Sequence, residues 1–374
     1  GHNVFSNGVP LNRKEHVKVD QTIAAWKEVY YEPVTMADMF GNAGYDTAAF
    51  GKIHLTPNLS DPDTGYKECL KLWAQGALNN WHGPYYGFEH VEMTHGHGEQ
   101  PCFAGHYHLW LKEKHPDILE KVKDNRINME LPIPGVPDLY PSPVPGELHH
   151  SSWLAERFTS YLDQGRDKSK PFFAFVGFPD PHAPFTPSAD VLESFLDINV
   201  HEPCDQTGEG WAGSPVHKFM TESKLVGKLT QEQRKTILRY TYAMVYQIDL
   251  AVGKIISALQ ENGLWEDTII IFTSDHGDYL CDHALLRLPF ILRAPGVELP
   301  ERVGAPMSNC DVMPTLAFLT GIAPPDNLHG KNILDVISTN TEHNVFAFCA
   351  DGYPESVNYT VYDARYRYTW FPVT

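Results

Sequence analysis

Between Thr230 and Asp278 the chain carries a helix that feeds a buried strand, and this unit restricts the fold more than any other stretch. Thr230 and Gln233 have capping-box spacing, a hydroxyl at the helix start with an amide three residues on. Ile237, Tyr240, Met244, Ile248, Ala251, Ile255 and Leu259 then recur at helical spacing as one apolar stripe. Gly263 suits the helix C-cap, and Thr268-Ile269-Ile270-Ile271-Phe272 follows as a continuous apolar strand that runs into a polar loop. Such a strand needs cover on both faces. The unit therefore predicts an α/β fold, a large mixed, mainly parallel sheet between helices.

Other segments repeat the rhythm. Thr35 and Asp38 cap a short helix that stops near Gly44, and Tyr45–Phe50 reads as a strand ending at Gly51-Lys52-Ile53-His54. Residues 171–178 read as a strand that runs into Asp180-Pro181-His182-Ala183-Pro184, and 288–293 as another. Asp311 begins a helix over Met313–Leu319 that closes at Gly321. Alternation at 345–348, 359–362 and 366–370 predicts a small antiparallel sheet. The expected organisation is a catalytic domain over 1–338 and an incomplete C-terminal antiparallel subdomain over 339–374. Residues 56–148, rich in Pro, Gly, His and Trp, are expected as a long insertion over the active-site face.

A net charge of −18 and the lack of a Lys/Arg cluster argue against nucleic acid. A small anionic substrate stays open, because a few placed cations set a pocket's local field. Six cysteines without a C-x-x-C pair exclude a disulfide scaffold and a zinc ribbon. Nothing approaches a membrane-spanning run, the longest apolar stretches near Phe172–Phe178 and Thr268–Phe272 having strand length, so no membrane partner is expected.

Ligands of open α/β sheets bind outside the carboxyl ends of the strands, which directs attention to three loops. Ser274-Asp275-His276-Gly277-Asp278 places a carboxylate beside an imidazole, half of a divalent-cation site; the plain alternative is a polar loop with a capping Asp. In Gly51-Lys52-Ile53-His54, extended backbone would put Lys52 and His54 on one face, an ammonium and an imidazole suited to a tetrahedral anion. A surface lysine with an unrelated histidine is the bland reading. His182, braced by Pro179, Pro181 and Pro184, is a candidate acid or oxyanion donor, or a histidine packed under its loop. His82, His90, His95, His97, His106, His108 and His115 match no compact metal-ligand spacing. With Trp73, Trp81, Tyr85, Tyr86 and Trp110 they are expected to shape a substrate pocket or a homo-oligomer contact.

Together these loops resemble the sulfatase family of the alkaline-phosphatase-like superfamily. Gly44–Thr47 through Gly51-Lys52-Ile53-His54-Leu55 resembles its second signature, Pro171–Phe173 through Pro184 its histidine loop, and Thr268–Asp278 with Asp282-His283 its metal loop. Asp249 with Gly253, and Ser308–Thr315, fit as well. The resemblance implies sulfate-ester hydrolysis by a formylglycine nucleophile. It implies Lys52 and His54 as the sulfate-binding and hydrate-handling pair, and His182 at the ester oxygen. Asp275 and His276 are implied as ligands of one divalent metal, expected to be calcium, with manganese or zinc as alternatives. It places Asn7 at the substrate.

The sequence departs from the family pattern in two places. No cysteine or serine stands in the C-x-P-S-R setting that becomes formylglycine; Cys102–His106 comes nearest and lacks the arginine. The opening His2–Asn12 resembles the stretch just downstream of that motif in the family, so the nucleophile is expected in a segment outside this sequence, as are the first two metal carboxylates. A lysine-bearing stretch expected before Arg287 is also missing. Two alternatives remain. One is a phosphonate monoester or phosphodiester hydrolase, echoed by His2-Asn3, Asn7-Gly8 and Pro10-Leu11 but disfavoured by Lys52 and His54. The other is a non-catalytic binding relative. Location is expected to be cytoplasmic or periplasmic.

Overall fold

The computed structural model describes residues 34–128, 130–202, 229–277, 288–326, 328–339, 345–349, 358–362 and 367–370. Strands β1 (Asp46–Lys52), β2 (His90–Thr94) and β3 (Phe172–Gly177) form a parallel sheet with β1 in the middle. β4 (Ile270–Thr273) pairs antiparallel with β5 (Phe290–Arg293). β6 (Val345–Cys349), β7 (Asn358–Tyr362) and β8 (Arg367–Trp370) form the expected antiparallel sheet.

Both predicted capping boxes close fully. Helix α1 (Met36–Asn42) starts where Asp38 N donates to Thr35 Oγ1 at 3.0 Å and Thr35 N donates to Asp38 Oδ2 at 2.9 Å. Further on come α2 (Gly105–Lys114), α3 (His150–Ser160), α4 (Gln231–Glu261) and α5 (Val312–Thr320). In α4, Gln233 N donates to Thr230 Oγ1 and Thr230 N to Gln233 Oε1, so two otherwise orphaned amides find partners. Gly263 and Gly321, at φ +68° each, turn the chain after α4 and α5.

The strand period of two divides the core. Ala48 and Phe50 of β1 face a cluster with Tyr107 and Leu111 of α2, Trp153, Leu154 and Phe158 of α3, and Ala258 and Leu259 of α4. Ala49, between them, joins Ala37, Val91 and Met93 on the other face. The central strand β1 is thus covered on both sides, as its apolar residues require, whereas β3 is only partly buried and exposes Phe175.

Two expectations need correction. Residues 56–148 do not simply overlie the sheet, because they contribute β2, paired with β1 from Ala48↔His90 to Lys52↔Thr94. Their Pro, Gly, His and Trp content hid a short alternating strand. Helix α4, 31 residues long, is apolar and long enough to cross a membrane by length and composition alone. Its apolar residues are interspersed with Tyr, Thr and Gln rather than continuous. Its stripe of Ile237, Leu238, Ala243, Met244, Ala251, Ala258 and Leu259 is buried within the protein.

His106 shows how the histidine-rich segment is used. Met93 N donates to its Nδ1 at 2.8 Å, and its Nε2 lies 2.7 Å from the Trp81 carbonyl, a pairing that only the neutral ring satisfies. Burial, then the nearby His82, lowers its pKa to about 4. An unfolded chain binds this proton near pH 6.5, so stability should be complete above that pH and fall as pH drops toward 4. Between pH 7 and 5 the loss from this residue should be about 2 kcal/mol. Urea titrations at both pH values should show a smaller drop for His106→Gln than for the wild type; equal drops would contradict the neutral buried ring.

Candidate active site

The carboxyl edge of the parallel sheet brings together loops that lie far apart in sequence. Gly51 of β1 pairs with Gly177 of β3, and neither position has room for a side chain. Gly51 has φ +97°, and a Cβ there would lie 2.1 Å from the Gly177 carbonyl oxygen. A Cβ on Gly177 would lie 2.3 Å from the Lys52 carbonyl oxygen. This close approach sets the end of β1 against the segment that leads to His182.

Lys52 is the last residue of β1, and its Nζ lies 2.5 Å from Nε2 of His97, three residues beyond the end of β2. The His97 ring stacks on His182, with centroids 3.6 Å apart and planes within 10°. His182 in turn meets the edge of His276 at 5.7 Å. It sits between the Asp180–Pro181 and Ala183–Pro184 bonds, both cis, with Nδ1 2.5 Å from the Ala183 carbonyl. Four predicted or newly found side chains thus form a contiguous row: Lys52, His97, His182, His276.

Charge in this row is set by burial. Desolvation lowers the Lys52 pKa, opposed by the negative charges of Asp275 and Glu68. Burial, then the positive charges of Lys52 and His182, lowers His97 to about 3, so His97 is neutral near pH 7. The ammonium therefore donates and the imidazole accepts, and Lys52 is held as a cation in a defined position.

His54 follows the strand rather than belonging to it, yet it lines the same cavity as Lys52, Glu68, His95 and His97. Its Nδ1 lies 3.7 Å from Oε2 of Glu68. Glu68 is buried, and its Oε1 accepts from Leu55 N (2.7 Å), Thr56 N (2.8 Å) and the Tyr85 hydroxyl (2.6 Å). Burial and Glu68 keep that hydroxyl protonated, its pKa pushed far up. This network fixes the segment that carries His54.

The third loop presents Asp275 and His276 after β4, both exposed. His276 Nδ1 lies 2.9 Å from the Gly277 carbonyl, which assigns its proton there and leaves the Nε2 lone pair facing Asp275 Oδ2 at 3.6 Å. Two acceptors side by side fit a shared cation, and a backbone carbonyl on the far nitrogen is the usual support of a ligating histidine. Asn309 donates from Nδ2 to the Ser274 carbonyl (2.9 Å) and the Asp275 carbonyl (3.3 Å), bracing the loop. Asn7, Asp278, Asp282 and His283 lie outside the described residues.

Sequence reasoning named His97 only as one of several histidines shaping a pocket or an oligomer contact, and missed its place beside Lys52. The signal was present: His90-Val91-Glu92-Met93-Thr94 alternates as a strand, and a histidine just past a parallel strand's end belongs at the ligand edge.

The family model described as Sulfatase matches residues 9–322. An arylsulfatase of Clostridium perfringens is 25% identical, covering 96% of this chain and 73% of its own. The multifunctional alkaline phosphatase superfamily protein PehA of Trinickia caryophylli is 27% identical over 90% of this chain, and an endo-4-O-sulfatase of Bacteroides thetaiotaomicron 28% over 87%. The chain spans 64% and 57% of these last two relatives. The phosphonate monoester hydrolase of Agrobacterium radiobacter shares the fold, with a TM-score of 0.64 at 22% identity over 90% of this chain and 71% of that one. A match over residues 9–322 together with the assembled loops leads to one assignment: this chain belongs to the sulfatase family.

Proposed function

We propose that the protein hydrolyses a sulfate monoester at the carboxyl edge of the parallel sheet. The observation that carries this reading is the Lys52 ammonium, held by neutral His97 beside His182 and within the field of Asp275. The sulfatase and arylsulfatase relatives support the same substrate class.

Each residue has a task that its surroundings dictate. Lys52 neutralises a sulfate oxygen in a half-buried setting where one cation acts more strongly than in water. His97 orients that cation and adds no charge of its own. His182, on its proline-braced loop, protonates or hydrogen-bonds the leaving ester oxygen. His54, steadied by the Glu68 network, handles the proton of the attacking hydroxyl. Asp275 and His276 would hold a divalent cation, calcium in our reading. That cation would polarise the sulfate oxygens, and a formylglycine hydrate would supply the attacking oxygen.

Two variants separate the roles of acid and cation. His182→Ala should cost about 10²–10⁴ in rate for an alkyl sulfate with a poor leaving group, and much less for 4-nitrophenyl sulfate. Lys52→Ala removes stabilisation that both esters need and should damage both comparably, by about 10²–10³. Equal losses on both esters for His182→Ala would reduce that residue to binding or loop shape. His97→Ala should lower kcat/KM by about 10–100-fold, the worth of a hydrogen bond to a charged group. An unchanged rate would remove His97 from the site.

A further inference from the structure

Behind the His182 loop lies a second group of metal-type ligands that the sulfate site does not use. His149 and His150 stand at the start of α3, and Asp180 follows β3. All three are buried, at 3%, 2% and 6% exposure. Their ligand atoms lie within 4.8 Å of one another. His150 Nε2 is 3.5 Å from Asp180 Oδ1, and His149 Nε2 is 3.7 Å from Oδ2.

These separations are too long for hydrogen bonds. Among the described residues, neither oxygen of Asp180 and neither ring nitrogen of His150 has a partner in hydrogen-bond geometry, although the Gly98 backbone approaches the His150 ring. A buried carboxylate without a donor is costly, and native proteins rarely leave one. Ligands on a tetrahedral zinc, with bonds of about 2.0–2.1 Å, stand roughly 3.3 Å apart. The two nitrogen–oxygen gaps are within a few tenths of an ångström of that edge.

We propose that His149, His150 and Asp180 bind a zinc ion that fastens the His182 loop to the start of α3. Two imidazoles and one carboxylate suit zinc, whereas calcium and magnesium take oxygen ligands. The ion satisfies both Asp180 oxygens at once. Ser151 N donates to His149 Nδ1 at 3.3 Å, a long bond that ligation exchanges for a proton on Nδ1. Because the cluster is closed to solvent, the ion is taken up during folding and then retained. Asp180 lies two residues before His182, so the ion sets where the acid stands.

The test is zinc content per chain in the full protein expressed in zinc-supplemented medium and dialysed against a weak chelator. Wild type and Asp275→Asn should each carry stoichiometric zinc, and His150→Gln should carry none. A wild type without zinc, zinc retained by His150→Gln, or zinc lost in Asp275→Asn would overturn the assignment. Should His150→Gln fail to fold, X-ray absorption at the zinc edge of the wild type decides. A shell with two imidazoles and a carboxylate supports the site, and an all-oxygen or sulfur-containing shell overturns it.

Discussion

The pairing of Gly51 with Gly177 is the constraint on which the site depends. Two parallel strands approach so closely there that a methyl group on either would collide with the other's carbonyl oxygen. On the far side of β1, Lys52 stands in register with Thr94. Parallel pairing sends all three strands to the same edge, so the residues that come after them must meet. Lys52, His97 and His182 are neighbours for that reason, although 130 positions of sequence separate the first from the last. Both faces of the central strand β1 are buried, which leaves this edge as the place where polar side chains gather.

The electrostatics are governed by burial. The chain is acidic overall, with a net charge of −18, yet its pocket is built around one ammonium and several imidazoles. Desolvation keeps His97 neutral, and a neutral ring can accept from Lys52 where a charged one would repel it. Glu68 is buried but has four donors on one oxygen, so its charge is supported. Asp180 is buried without any, and the zinc assignment answers that contrast.

Much of this was legible in the sequence, for identifiable reasons. The capping boxes at Thr35 and Thr230 act over three residues, and both helices start where that local chemistry places them. The apolar runs of β3 and β4 stand out in the sequence because no polar residue interrupts Phe172–Val176 or Ile269–Phe272, although both strands are only partly buried, with Phe175 and Phe272 exposed. Lys52, His54, His182, Asp275 and His276 could be named because each lies at or just past the end of such a strand. β2 was overlooked: its five-residue alternation sits among Pro, Gly, His and Trp, and its pairing with β1 is a long-range contact. The place of His97 beside Lys52 was overlooked with it. The His149–His150–Asp180 cluster was also invisible, because two elements 30 residues apart must pack before it exists.

The central claim is that the Lys52 pocket is built for sulfate rather than for the phosphonate esters hydrolysed by an enzyme of the same fold. Its most direct test is kcat/KM for the full protein on 4-nitrophenyl sulfate and on 4-nitrophenyl phenylphosphonate, measured side by side with metal in excess. The account predicts faster turnover of the sulfate, with the preference collapsing in Lys52→Ala. A higher kcat/KM for the phosphonate, or a sulfate preference that survives loss of Lys52, would contradict it.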